Sequence, residues 1–159
     1  MKLNIGCGWR EFGKDWVHID GGDYEHLDSD DIYLNDYKEN SVDLIYASHV
    51  IEYFDREEVV PLLEGWRKVL KPNGVMRLAV PNFSKIASLY YHNESYGMDD
   101  FIGLLYGKMP MGDETIYHRT VYDFSSLKKV LEGVGMKEVN YYDWRKTEHA
   151  EFDDHSQAY

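Results

Sequence analysis

Apolar and polar residues fall into blocks that read alternately as strand and helix. Three short apolar runs near the N-terminus carry strand signals, residues 3–5, 16–19 and 32–34. A fourth, VDLIYASHV over 42–50, is almost uninterrupted, as expected of a central strand buried on both faces of a parallel sheet. In DREEVVPLLEGWRKVL, Val59, Leu62, Leu63, Trp66, Val69 and Leu70 share one helical face. Asp55 is the expected N-cap, Glu58 completes a capping box, and Pro61 must then sit near the helix start. KPNG, residues 71–74, stops this helix and launches another buried strand over 75–81. Residues 83–92 and 99–106 read as helices, and YGKMPMGDETIYHRTVY as an irregular covering loop. SSLKKVLEGVG predicts a helix capped by Ser125 and ended by Gly135, with KEVNYYDW as a last strand.

Helix and strand in alternation define an α/β class, expected as a single domain over residues 1–144 followed by a polar tail over 145–159 that shows no period. The 159 residues, 43% hydrophobic and 15% aromatic, suffice for one core and exclude a disordered chain. No apolar stretch approaches the roughly 18–20 residues of a membrane span. MKLNIGCG lacks the apolar region and cleavage site of a signal peptide, so a cytoplasmic location is expected. Cys7 is the only cysteine, which rules out an intrachain disulfide and thiolate-rich metal sites. His149, Asp153, Asp154 and His155 mix imidazole with carboxylate, but their spacing places them on no common face, so a solvated tail and no metal site are expected. The net charge of −12 argues against nucleic acid as a partner, because binding a phosphate backbone takes cationic surface.

The candidate chemistry begins at LNIGCG. Gly6 and Gly8 follow a short strand and Asp20 ends the next, an arrangement in which backbone approaches a ligand and an acid accepts ribose hydroxyls. Arg10 and Glu11 stand where a third glycine would be expected, and only seven residues separate Gly8 from Trp16. That is too short for a helical crossover, which needs about ten to twelve residues, and without a helix N-terminus a pyrophosphate loses its cradle. A ligand with ribose and adenine but no bridging phosphates fits better, which turns the reading from NAD to S-adenosylmethionine.

LNIGCG, then WVHID, ENSVDLIYASHVIEYF and WRKVLKPNGVMRLAVPNF, over residues 3–83, resemble the class I S-adenosylmethionine-dependent methyltransferases, and most closely small bacterial methyltransferase-like proteins with a compressed first crossover. The resemblance implies a minimal Rossmann-like methyltransferase sheet with a truncated C-terminal strand pair, and S-adenosyl-L-methionine as cofactor. By the same resemblance Gly6, Cys7 and Gly8 line the methionine part and Asp20 holds the ribose. Asp31, or Asp30 beside it, reads adenine. Ala47 and Ser48 approach the methionine amine, with His49 and Glu52 following on the substrate side. Asn4 stands where the family begins its first motif with an acid, and Tyr53 follows Glu52 where the family has histidine. Because the chain stops one strand short of the family's sheet, either a homodimer across that side or a tail folded over it is expected.

The implied activity is methyl transfer to a small molecule or a sugar-containing precursor. A cofactor-binding protein without transfer, or an enzyme cleaving the cofactor, are the alternatives. An alcohol acceptor needs a general base; His118, in the covering loop, is the first candidate and His49 the second.

Overall fold

The computed structural model describes residues 1–156. Four parallel strands, β1 (Lys2–Ile5), β2 (Trp16–Ile19), β3 (Val42–Ser48) and β4 (Leu70–Ala79), form one sheet in the order β2-β1-β3-β4. Ile5 lies beside Ile19 and Ala47, and Ser48 beside Ala79. The carboxyl ends therefore finish together, and a ligand crevice in an open parallel sheet lies outside those ends.

One face of the sheet carries an aliphatic core. Leu3, Ile5, Ile19, Ile45 and Ala47 meet Leu62, Leu63 and Trp66 of helix α1 (Val59–Val69), with all eight buried. The expected capping-box contacts are present, Asp55 accepting from the backbone of Glu57 and Glu58 and Glu58 from the backbone of Asp55, but they close a turn over 56–58, and the helix itself starts at Val59 after Glu58. Pro61 is the third helical residue, where its missing N–H breaks no intrahelical bond. The KPNG turn is a bulge inside β4 rather than a break before it. The register steps from Val42 beside Leu70 to Leu44 beside Val75, and Asn73 takes a left-handed φ of +66°.

Three expected elements differ. Residues 32–34 form a turn, because the Asp31 carboxylate gathers the backbone N–H groups of Tyr33, Asn35 and Asp36. The apolar residues there serve the core without forming a ladder: Leu34 is buried and Ile32 offers its carbonyl to the Trp66 indole N–H at 2.7 Å. Beyond β2 only a single bridge, Ile19 with Ser29, is left. Residues 137–144 form no strand: Tyr141 stacks on Phe124 at 4.1 Å, and Arg77 lies over the Tyr142 ring. Side-chain anchoring of this kind holds the segment across a groove of about 1000 Å³ from β4, so its alternating pattern is satisfied without sheet pairing. The covering loop is more regular than expected, since β5 (Met109–Met111) and β6 (Glu114–Ile116) pair as a hairpin.

Helices α2 (Phe83–His92) and α3 (Met98–Tyr106) match expectation. Helix α4 (Phe124–Gly133) begins earlier than Ser125, since Asp123 accepts from the backbone of Ser126 in a capping box. Among the described residues no helix is long and apolar enough to cross a membrane.

The tail is folded rather than solvated, at least as far as residue 156; residues 157–159 lie outside the described residues. His149 and Asp154 are buried, and the tail covers the sheet face opposite α1. The first crossover has no helix. Phe12 instead donates its backbone N–H to His18 Nε2 at 2.8 Å and stacks its ring on His149 at 5.0 Å. The C-terminal segment thus supplies the cover that a crossover helix would have given.

Candidate active site

Gly6 leaves β1 with φ +69°, and a Cβ there would lie 2.2 Å from Val50 Cγ2. Only glycine allows both the left-handed turn and that approach. Gly6 donates to the Ile19 carbonyl at 2.7 Å, tying the turn to the end of β2. Asp20 closes the loop from the other side, accepting from Gly8 N at 2.8 Å and Gly22 N at 2.7 Å, one bond on each oxygen. A carboxylate oxygen has two lone pairs, so the buried Asp20 keeps acceptor capacity. Cys7 is buried, and burial followed by the charge of Asp20 pushes its thiol up to about 12, so it stays neutral.

Ala47 and Ser48 end β3, both buried. His49 follows with φ +55°, a left-handed conformation that costs a non-glycine residue about 1–2 kcal/mol. The strain turns the chain directly into a short 3-10 helix, Ile51–Tyr53, which carries Glu52 inward. Glu52 is 1% exposed, and neither carboxylate oxygen accepts an aligned hydrogen bond among the described residues. His49 Nδ1 lies 3.0 Å from Glu52 Oε1.

His118 reaches the same carboxylate from the segment after β6. The backbone N–H groups of Arg119 and Thr120 donate to the Glu52 carbonyl, and Arg119 forms ion pairs with Asp55 and Glu58. His118 is clamped: its Nδ1 lies 3.1 Å from the Leu104 carbonyl and its ring meets Tyr53 edge-on. A Cβ on Gly107, at φ +59°, would stand 2.5 Å from the imidazole. His118 Nε2 lies 3.9 Å from Glu52 Oε1. Burial lowers the His118 pKa, against the raising effect of Glu52 and of the Leu104 carbonyl.

Two segments cover the crevice. A Cβ on Gly21, just past Asp20, would meet Met111 Sδ at 3.1 Å, so the hairpin lies over the end of β2. From the other side, Ser48 Oγ donates to the Asp154 carbonyl at 2.9 Å, Arg10 Nε donates to the Asp153 carbonyl at 2.6 Å, and the Tyr46 hydroxyl donates to the Asp154 carboxylate.

Gly6, Cys7, Gly8, Asp20, Ala47 and Ser48 gather at the carboxyl ends of the strands, and His49 and His118 converge on one acid. Asn4 lies deeper, in register between His18 and Tyr46, with its buried Nδ2 lacking a hydrogen-bond partner among the described residues. Asp31 is apart, its carboxylate occupied by the local turn. Glu52 as the meeting point of two histidines escaped sequence reasoning; its i, i+3 spacing from His49 is the one available signal. Tyr46 and Asp154, 108 residues apart, give none.

A four-stranded parallel sheet with a glycine turn after β1, an acid closing β2 and a crevice at the carboxyl ends defines a Rossmann-like, class I methyltransferase fold. Residues 9–78, under half of the 159-residue chain, match the family model for a methyltransferase domain. A SAM-dependent methyltransferase from Archaeoglobus fulgidus shares the fold, with TM-score 0.56 and 18% identity over 86% of this chain and 61% of that one. One from Methanosarcina mazei superposes with TM-score 0.55 and 16% identity over 84% of this chain and 77% of that one. The fold of DhpI, solved as a DhpI-SAM-HEP complex, gives TM-score 0.51 and 12% identity over 84% and 69%. The chain thus spans less than two thirds of the Archaeoglobus protein's length. No curated protein matches it in sequence.

Proposed function

We propose that this protein transfers a methyl group from S-adenosylmethionine to a hydroxyl of a small-molecule or sugar-containing acceptor. The observation that carries the reading is the pair of histidines gathered on buried Glu52 beside the crevice, since a hydroxyl must lose a proton to become a methyl ether.

The donor set suits the cofactor. Asp20 retains lone pairs for two ribose hydroxyls, and Asn4 Nδ2 is an unpaired buried donor. A Cβ at Gly8 would have only Arg10 Nη1 near it, at 4.0 Å, which leaves room for a ligand against the backbone. Bound there, the cofactor supplies an electrophilic methyl group on a sulfonium. In this reading Gly6, Cys7 and Gly8 present backbone to its methionine part, and Ala47 and Ser48 flank the amine. The protein's work is alignment and exclusion of water, to which the hairpin and tail contribute. His49, the more exposed histidine, and His118 behind it assist the loss of the acceptor proton. The net charge of −12 favours a small neutral acceptor over a polyanion.

Calorimetry with S-adenosylmethionine tests the cofactor site. Asp20→Ala removes a charged acceptor worth about 1.5–3 kcal/mol, hence about 10- to 100-fold in affinity, and unchanged affinity would place the ribose elsewhere. Asp20→Asn, which keeps the side chain's shape and can accept only one of the two loop N–H groups, should lie between. The tail's hold on Ser48 and Arg10 favours one rival reading, cofactor binding without transfer. Tight binding with no S-adenosylhomocysteine formed across a panel of polyols and sugars would establish that rival.

A further inference from the structure

We infer that His49, Glu52 and His118 form a binding site for a single divalent transition-metal ion of the zinc type. The inference deepens the proposed function, with the histidines acting as ligands that let an ion polarise the acceptor hydroxyl.

The argument begins with the orientation of His118. Its Nδ1 faces the Leu104 carbonyl at 3.1 Å, and only a protonated nitrogen is at ease against a carbonyl oxygen. In the neutral ring this leaves a lone pair on Nε2, the atom directed at Glu52 across 3.9 Å. That distance is too long for a hydrogen bond, and a lone pair facing a carboxylate needs a positive centre between them. The ring cannot turn away, because Gly107 lies against it and Tyr53 meets its plane edge-on.

The second observation is Glu52 itself. Its Oε2 is buried without a hydrogen-bond partner among the described residues, and its Oε1 faces the two histidines, His49 Nδ1 at 3.0 Å and His118 Nε2 at 3.9 Å, without accepting an aligned hydrogen bond, although buried carboxylates are normally paired or bound to metal. One ligand atom from each of His49, Glu52 and His118 lies within 4.8 Å of the other two. Zinc–nitrogen and zinc–oxygen bonds of about 2.0–2.2 Å put tetrahedral ligand atoms about 3.3–3.6 Å apart, so binding requires the partly exposed His49 ring to turn inward.

The donor set and its surroundings agree. Two imidazoles and one carboxylate leave a tetrahedral ion one open position, as in hydrolytic zinc sites. His49 also lines a cleft of about 30 Å³ with Pro81, Asn82, Leu104 and His155, large enough for a water or an acceptor hydroxyl at that position. An ion there would draw charge from the bound oxygen and ease its deprotonation.

The full chain, stripped with EDTA and dialysed, is titrated calorimetrically with Zn²⁺ alone, and with Co²⁺ to read the visible absorption of a four-coordinate site. The expected result is one ion per chain. Glu52→Gln and His118→Gln should each weaken binding by about 100-fold or more, beyond the effect of losing an outer-shell partner, while His155→Ala should leave it unchanged. Circular dichroism checks that each variant is folded; should Glu52→Gln not fold, His49→Gln at the more exposed ligand decides. No bound ion, unchanged affinity in the ligand variants, or loss only in His155→Ala would overturn the site. Binding of Zn²⁺ without binding of S-adenosylmethionine would leave the metal site standing and remove the transferase reading. The converse would remove the metal site alone.

Discussion

The two faces of the central sheet are built on different principles. Toward α1, Leu3, Ile5, Ile19 and Ile45 meet Leu62, Leu63 and Trp66, an aliphatic core with a single indole whose N–H finds a carbonyl. On the opposite face Trp16, Leu44 and Tyr46 are covered by Phe12, His149 and Phe152, rings stacked among buried polar groups. The first face depends on apolar area removed from water and tolerates small shifts. The second depends on partners in register, since Tyr46, Asp154 and His149 are buried polar groups that water no longer serves. The aliphatic face holds the fold, and the aromatic face joins the tail to the crevice.

The sharpest way to break the contrast is Trp66→Ala. Its side chain is fully buried at the centre of the aliphatic face, so a cost of about 3–5 kcal/mol is expected in urea denaturation, with every probe of structure lost together. Tyr46→Phe acts on the other face. It leaves Asp154 without its phenol partner, for a cost of about 1–3 kcal/mol. Limited proteolysis should then cut within residues 145–156 while the remainder stays protected. A second chain-wide transition at the size expected for Trp66→Ala would show that the two faces are one cooperative unit.

The smallest effect is that of pH. Burial first, and then the neighbouring Arg77, lowers the pKa of His149, against the raising influence of Asp154 and Glu148. His18, which accepts the Phe12 N–H, is likewise lowered by burial. The unfolded chain therefore takes up protons on these histidines before the folded one does. Stability is complete above the ordinary histidine value of about 6.5 and falls as the pH drops below it. Melting temperatures at pH 5.5 and 7.5 should show that loss. His149→Phe, which keeps the stack on Phe12, should reduce it, and an equal loss in that variant would assign the effect to other groups.

Much of the aliphatic face was legible in advance. The uninterrupted run at 42–50 holds β3, which ends at Ser48, and the period of Leu62, Leu63 and Trp66 is the buried side of α1. Misreadings came where a local apolar pattern served something other than pairing. Residues 32–34 are apolar because Leu34 plugs the core, and their backbone was captured by Asp31. Residues 137–144 alternate because their rings dock on Phe124 and beneath Arg77. The tail was unreadable because its buried residues answer to Phe12 and Tyr46, more than a hundred positions away, and no periodicity reports such contacts.

The chain's own pattern settled the parallel sheet, the glycine turn and the acid at the end of β2, since these rest on contacts between neighbours and on backbone geometry that only glycine can adopt. Tertiary structure alone settled which buried groups stand together: Glu52 between two histidines, and the tail laid over the face that a shortened crossover left bare. Those arrangements depend on distances between residues far apart in the chain, which are decided only when the strands close into a sheet.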